Sequence, residues 1–128
     1  MTVHDARRRL EEALDALLAA LEDGSGCEER FRAAAAAARG AFQAEEPLLA
    51  SWEEDFPRLV AKMRQQHEEA GELAAAVEDL FAGGASAGER ARLLKAFHAI
   101  AQHNVIEEDR ELFSRLPPPA PDPGSGTD

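Results

Sequence analysis

An all-α, antiparallel up-down four-helix bundle is the architecture this sequence predicts, on three observations. Alanine, leucine, glutamate and arginine dominate and tyrosine is absent, a mixture that favours helices over strands. Apolar residues recur every three or four positions through four long segments. Short breaks rich in glycine, serine or proline separate those segments. At 128 residues the chain suits one hydrophobic core. Four amphipathic helices with short connections close most simply by packing antiparallel neighbours at roughly 20°.

The first helix is expected over residues 2–22, with Val3, Leu10, Leu14, Leu17, Leu18 and Leu21 forming its apolar stripe. Asp23-Gly24-Ser25-Gly26 stops it, because two glycines tolerate positive φ and offer nothing to pack. The second, over 27–54, carries Phe31, Ala34, Ala38, Leu48, Leu49 and Trp52 inward, with Pro47 removing one backbone donor. Phe56-Pro57 marks the next boundary, since proline is accepted in a first helical turn. The third, ending near Phe81, turns Leu59, Val60, Met63, Ala70, Ala74 and Val77 inward, and Gly83-Gly84 ends it. Ser86-Ala87-Gly88-Glu89 reads as a capping box for the fourth, whose stripe is Leu93, Phe97, Ala101 and Leu112. That helix is expected to reach Leu116, so that residues 1–116 form the bundle and the Pro/Gly-rich residues 117–128 a disordered tail.

Charge and cysteine content narrow the function. With 14 basic against 25 acidic residues, the formal net charge of -11 repels nucleic-acid phosphates and anionic lipid, so neither is expected as a partner. The longest apolar stretch, Ala33 to Ala38, is too short to span a bilayer, and the N-terminus lacks the features of a secretory signal. The single Cys27 makes no internal disulfide and fits a reducing cytoplasm, as a small, partly buried residue near a helix start. A protein partner or a homodimer stays open. Neither a glycine-rich phosphate loop nor a nucleophile–base pairing is visible, so the chain is not expected to be an ordinary hydrolase or transferase.

Polar residues on the apolar stripes are the informative ones. At about 100° per residue, His67 on the third helix, Glu45 on the second, and Asn104 and Glu108 on the fourth fall on the inward faces. Arg7 lies at the edge of the first stripe. Counted from each turn at about 1.5 Å per residue, Arg7, Ala41, His67 and Asn104 share one height, with Glu45 and Glu108 one turn along. A buried layer of two carboxylates, a histidine, an asparagine and an arginine is costly unless something organises it. It is a site or the remains of one.

Three stretches then resemble the hemerythrin-like, HHE cation-binding family: EEPLL at 45–49, LVAKMRQQHEEAGEL around His67, and EEDRELF at 107–113. The resemblance runs to Leu116 and implies one histidine from each helix, a glutamate four residues after the second and fourth, and a di-iron pair held between them. Imidazole and carboxylate suit iron, and carboxylates can bridge two ions. Matched residue by residue, the third-helix histidine is present as His67. The second-helix pair reads Ala41 and Glu45, and the first-helix position reads Arg7, with His4 one turn earlier. The fourth helix offers two registers. His103 and Glu107 have the literal spacing, whereas the apolar phase selects Asn104 and Glu108, because His103 points more than about 90° from the stripe. A π-turn inside that helix would reverse the choice.

Two functional expectations follow. In the first, Arg7 and His67 balance Glu45 and Glu108 as a buried charge network with Asn104 beside it, no cofactor is bound, and the chain is a non-catalytic structural or interaction module. This requires a raised His67 pKa. In the second, iron or another cation is kept by a reduced set: His67, Glu45, Glu108 or Glu107, and His103 or His4. The resemblance then implies oxygen or redox sensing, or iron handling. An enzyme of the carboxylate-bridged kind ranks below both. The bland alternatives are a solvated His4, a boundary position for His98, and an acidic run 107–109 on a solvated helix face.

Overall fold

The computed structural model describes residues 2–84 and 86–114. The order along the chain is α1 (Val3–Asp23), α2 (Cys27–Trp52), α3 (Pro57–Gly83), α4 (Ala87–Glu108) and a terminal π-turn, η1 (Asp109–Phe113). No strand occurs among the described residues. α1 packs most extensively on α2 and α3 on α4, with α1 against α4 and α2 against α3 closing the ring. It is the all-α bundle expected from the apolar periodicity. Leu116 and the tail 117–128 lie outside the described residues.

Each end has a local cause. Thr2 caps α1, its side chain accepting a hydrogen bond from the Asp5 amide, and Gly24 closes the helix at φ 79°, a left-handed conformation natural to glycine. Ser86 accepts from the Glu89 amide and caps α4, the serine half of the expected capping box. Pro57 stands in the first turn of α3, where its missing amide hydrogen costs nothing. α2 continues through the exposed Pro47 and ends at Trp52, two residues before the expected limit.

The larger part of the core is Leu10, Leu14, Leu17, Phe31, Ala34, Ala38, Val77 and Phe97 with their neighbours. Phe31 meets Phe97 edge-to-face at 5.3 Å between ring centroids, a favourable aromatic geometry. A smaller cluster of Leu49, Trp52, Val60, Met63 and Leu112 fills the end nearer the termini. Some stripe positions depart from expectation. Leu94, not Leu93, is the buried leucine early in α4, and Leu18 is exposed. Leu48 and Ala74 are half-buried at helix–helix edges. Each of the three leucines lies about 100° round the helix from a fully buried neighbour, where ideal periodicity cannot choose which residue an adjacent helix will cover.

The fourth helix departs most in its last turn, which is π rather than α over Asp109–Phe113, with the Ser114 amide bonding the Asp109 carbonyl at 3.1 Å. The π-turn begins one residue past Glu108, so Asn104 and Glu108 remain in α geometry on the inward face.

Candidate metal centre

Between the two apolar clusters lies a polar layer built by all four helices. Arg7 from α1, Glu45 from α2, and Asn104 and Glu108 from α4 are buried, and Glu108 is wholly inaccessible. His67 from α3 joins them with a side chain only 10% exposed. Each sits one helical turn from a core residue: Arg7 before Leu10, Glu45 before Leu49, His67 after Met63, and Glu108 before Leu112. The apolar stripe that folds each helix therefore also aims its polar member inward.

Two cations hold two carboxylates. Nη1 of Arg7 donates to Glu108 Oε1 at 2.6 Å and to Glu45 Oε2 at 3.3 Å. Its Nη2 donates to Asp109 Oδ1 at 2.6 Å and to the Val105 carbonyl at 3.3 Å. From the other side, His67 Nε2 donates to Glu108 Oε2 at 2.7 Å, with Glu45 Oε1 at 3.2 Å. One Nε2 hydrogen serves one strong bond, so Glu45 Oε1 is left without a donor. Two rings close the layer. Phe113 lies 4.4 Å from the Arg7 guanidinium carbon, and Phe42 stacks on the His67 imidazole at 3.9 Å and 10°.

The electrostatics follow from burial and contact. Burial works against the charge on His67, but its bond to Glu108 and the close Glu45 carboxylate outweigh it and push the imidazole up to about 9. Burial raises the Glu45 carboxyl, and the neighbouring Glu108 adds to the effect against the opposing pull of His67, bringing it to about 7. Glu108 is also penalised by burial, yet His67, Glu45 and Arg7 together hold it below the ordinary carboxylate range. Glu108 is the fixed anion of the layer and Glu45 the one nearer neutrality.

Chemically, Glu45, His67 and Glu108 form a group able to hold a metal ion, with one ligand atom from each lying within 4.8 Å of the others. The remaining positions singled out in the sequence fall elsewhere. Ala41 is buried and offers no donor. The Asn104 amide donates to Gln66 Oε1 at 2.8 Å. His103 is 64% exposed and lies 3.4 Å from Glu107, which also meets Lys62 and Gln66. That pair is turned away from the buried carboxylates. His4 is exposed at the start of α1. The acidic run 107–109 is not a uniformly solvated face: Glu107 bonds outward, Glu108 is buried and Asp109 takes Arg7.

The family model for the hemerythrin HHE cation-binding domain matches residues 2–116. The chain belongs to that family. No curated protein and no solved structure matches it significantly. Membership makes the hemerythrin-like bundle a cation-binding type of module, and a buried Glu45–His67–Glu108 group is present in it. Among the described residues no helix is long and apolar enough to cross a membrane.

Four contributors escaped the sequence reading. Asp109 follows an inward residue and belongs nominally to the opposite face, but Arg7 has two guanidinium arms and needs a second acceptor there. Phe42 stands beside the inward Ala41, at a helix edge. Gln66 precedes His67 and bridges Asn104 to Glu107. Phe113 reaches Arg7 from within the π-turn. An unmatched arginine on an apolar stripe is the signal that points to the first of these.

Proposed function

We propose that this hemerythrin-like bundle is a non-catalytic structural or interaction module, in which Arg7 and His67 neutralise the carboxylates that a di-iron pair neutralises elsewhere in the family. One observation carries the reading. The Arg7 guanidinium stands 2.6 Å from Glu108 Oε1 and 3.3 Å from Glu45 Oε2, so a permanent cation holds both buried carboxylates. The donor set does not fit two metal ions. It supplies one imidazole and two carboxylates, and Ala41 has no donor atom. Metal pairs of this class take several carboxylates and imidazoles together.

The compactness of Glu45, His67 and Glu108 supports a second reading. A single iron or other divalent cation would bind these three once Arg7 swung aside, and the family then implies oxygen or redox sensing, or iron handling. Elemental analysis separates the two, on protein expressed in iron-supplemented medium and purified without a metal-affinity step. The first reading expects less than about a tenth of an ion per chain and a melting temperature indifferent to chelator, since a bound ion stabilises the native state by mass action. Near-stoichiometric iron, lost to chelator with a fall in melting temperature, would overturn it.

A further inference from the structure

α1 and α4 pack against one another, and each carries an exposed stripe beside their common seam. On α1 the stripe is Glu11, Asp15, Leu18 and Glu22, and on α4 it is Arg92, Lys95, Ala99 and Ile106. Spacings of three, four and seven residues put the members of each stripe on one helical face. A cleft of about 280 Å³ between the helices is lined by Leu18, Leu21 and Glu22 of α1 and by Lys95 and His98 of α4. That shared cleft sets the two stripes side by side, with Glu22 and Lys95 at the same height.

The stripes are opposite in charge. Between residues 10 and 23 the chain has acidic residues but no lysine or arginine, whereas between 90 and 106 it has lysine and arginine but no acid. Although neighbours, they do not neutralise one another. Among the described residues, Glu11, Asp15, Glu22, Arg92 and Lys95 have no ion-pair partner. The next residues outward, Arg8 and Asp109, are already taken by Asp5 and Arg7. Apolar surface accompanies the charge: Leu18 and Ile106, 41% and 44% exposed, are the most exposed large apolar side chains among the described residues.

A surface with both signs in separate parallel stripes is complementary to itself. A twofold axis parallel to the helices and lying over the seam sets α1 of each copy on α4 of the other without changing height, so acid meets base. An axis across the helices would instead set α1 on α1, acid against acid, which is costly. Each copy carries -11 and repels the other at long range, so only the first arrangement brings attractive charges together.

We propose that the chain forms a twofold dimer through the α1–α4 seam, with Glu22 of each copy opposite Lys95 of the other and Leu18 of each packed over the other's cleft. The dimer names the partner of the interaction module and rests on that reading for its role, but no residue of the two stripes belongs to the polar layer.

The test is sedimentation velocity on the full chain from about 5 to 500 µM, a span that covers weak and moderate dimers. The weight-average mass is expected to climb toward that of two chains. Lys95→Glu and Glu22→Lys lie at exposed positions. Each should weaken the dimer by at least about tenfold, because like charges then meet twice across the axis. Mixed in equal amounts, the two variants should pair with one another and recover the original affinity to within about threefold, since each contact again joins opposite charges. Such recovery separates a contact between copies from a loss of folding, which mixing cannot repair. A chain still monomeric at about 500 µM would overturn the proposal and leave the stripes to a partner of another kind. Dimerisation that both charge reversals leave unchanged, or that mixing fails to restore, would overturn it as well. Elemental analysis reads the metal content separately, so failure here is distinguishable from failure of the reading of the polar layer.

Discussion

Nη1 of Arg7 and Oε1 of Glu108 lie 2.6 Å apart although 101 residues separate them in sequence. The pair joins the first turns of α1 to the last turn of α4, and Glu45 and His67 complete it from α2 and α3. All four helices thus meet at one charged layer, and removing either member strands a buried charge.

Arg7→Ala should therefore destabilise the bundle by about 3–5 kcal/mol, the usual cost of breaking a buried pair from one side. Replacing Arg7 by Met together with Glu108 by Leu removes both charges and should cost clearly less than the single change. Urea denaturation of the three proteins checks this. A stability-neutral Arg7→Ala would remove Arg7 from the role assigned to it.

Stability should fall as pH rises from mildly acidic to alkaline. His67 is raised from 6.5 to about 9, so its contribution is complete below about 6.5 and is lost as pH climbs through 9. Glu45 is raised from 4.5 to about 7, so the folded state prefers its proton and the cost of ionising it accrues between those values. Glu108 is lowered, and its contribution disappears only as pH falls through its depressed value. Urea midpoints at pH 6 and pH 9.5 measure the slope, and His67→Gln should flatten its alkaline part.

His67 of α3 and His103 of α4 should behave unlike one another. His103 is 64% exposed and pairs with Glu107, so His103→Ala should change stability by less than about 0.5 kcal/mol. His67→Ala removes the donor to Glu108 and leaves two carboxylates facing only Arg7, at a cost of about 3 kcal/mol. Thermal melts at neutral pH distinguish them.

Two surface changes test the helices themselves. Gly71 is exposed within α3 with open space around it, so Gly71→Ala should stabilise by about 0.5–1 kcal/mol through helix propensity. Ser86→Ala removes the side-chain acceptor of the Glu89 amide and should cost about 1 kcal/mol. Chemical denaturation reads both.

The fourth helix shows how far sequence reaches. Its apolar phase placed Asn104 and Glu108 inward ahead of the literal histidine-to-glutamate spacing, and the structure buries both while leaving His103 on the surface. The same phase misplaced Leu93 against Leu94, since a 3.6-residue repeat leaves two neighbours nearly equivalent at a stripe's edge. The π-turn over Asp109–Phe113 left no periodic signature, because one five-residue turn is too short to establish a period.

By itself the sequence determined the four helices, their breaks and caps, and the five polar residues that the core stripes carry inward. These are local properties: propensity, turn chemistry and spacing along one chain. Only the tertiary structure decided how those residues divide their hydrogen bonds. It gave Glu108 to both Arg7 and His67, added Asp109 as the second acceptor of Arg7, and stacked Phe42 on His67. The physical reason is range. A helical face follows from residues three and four apart, whereas a hydrogen bond or a cavity depends on side-chain positions from several helices to within about half an ångström.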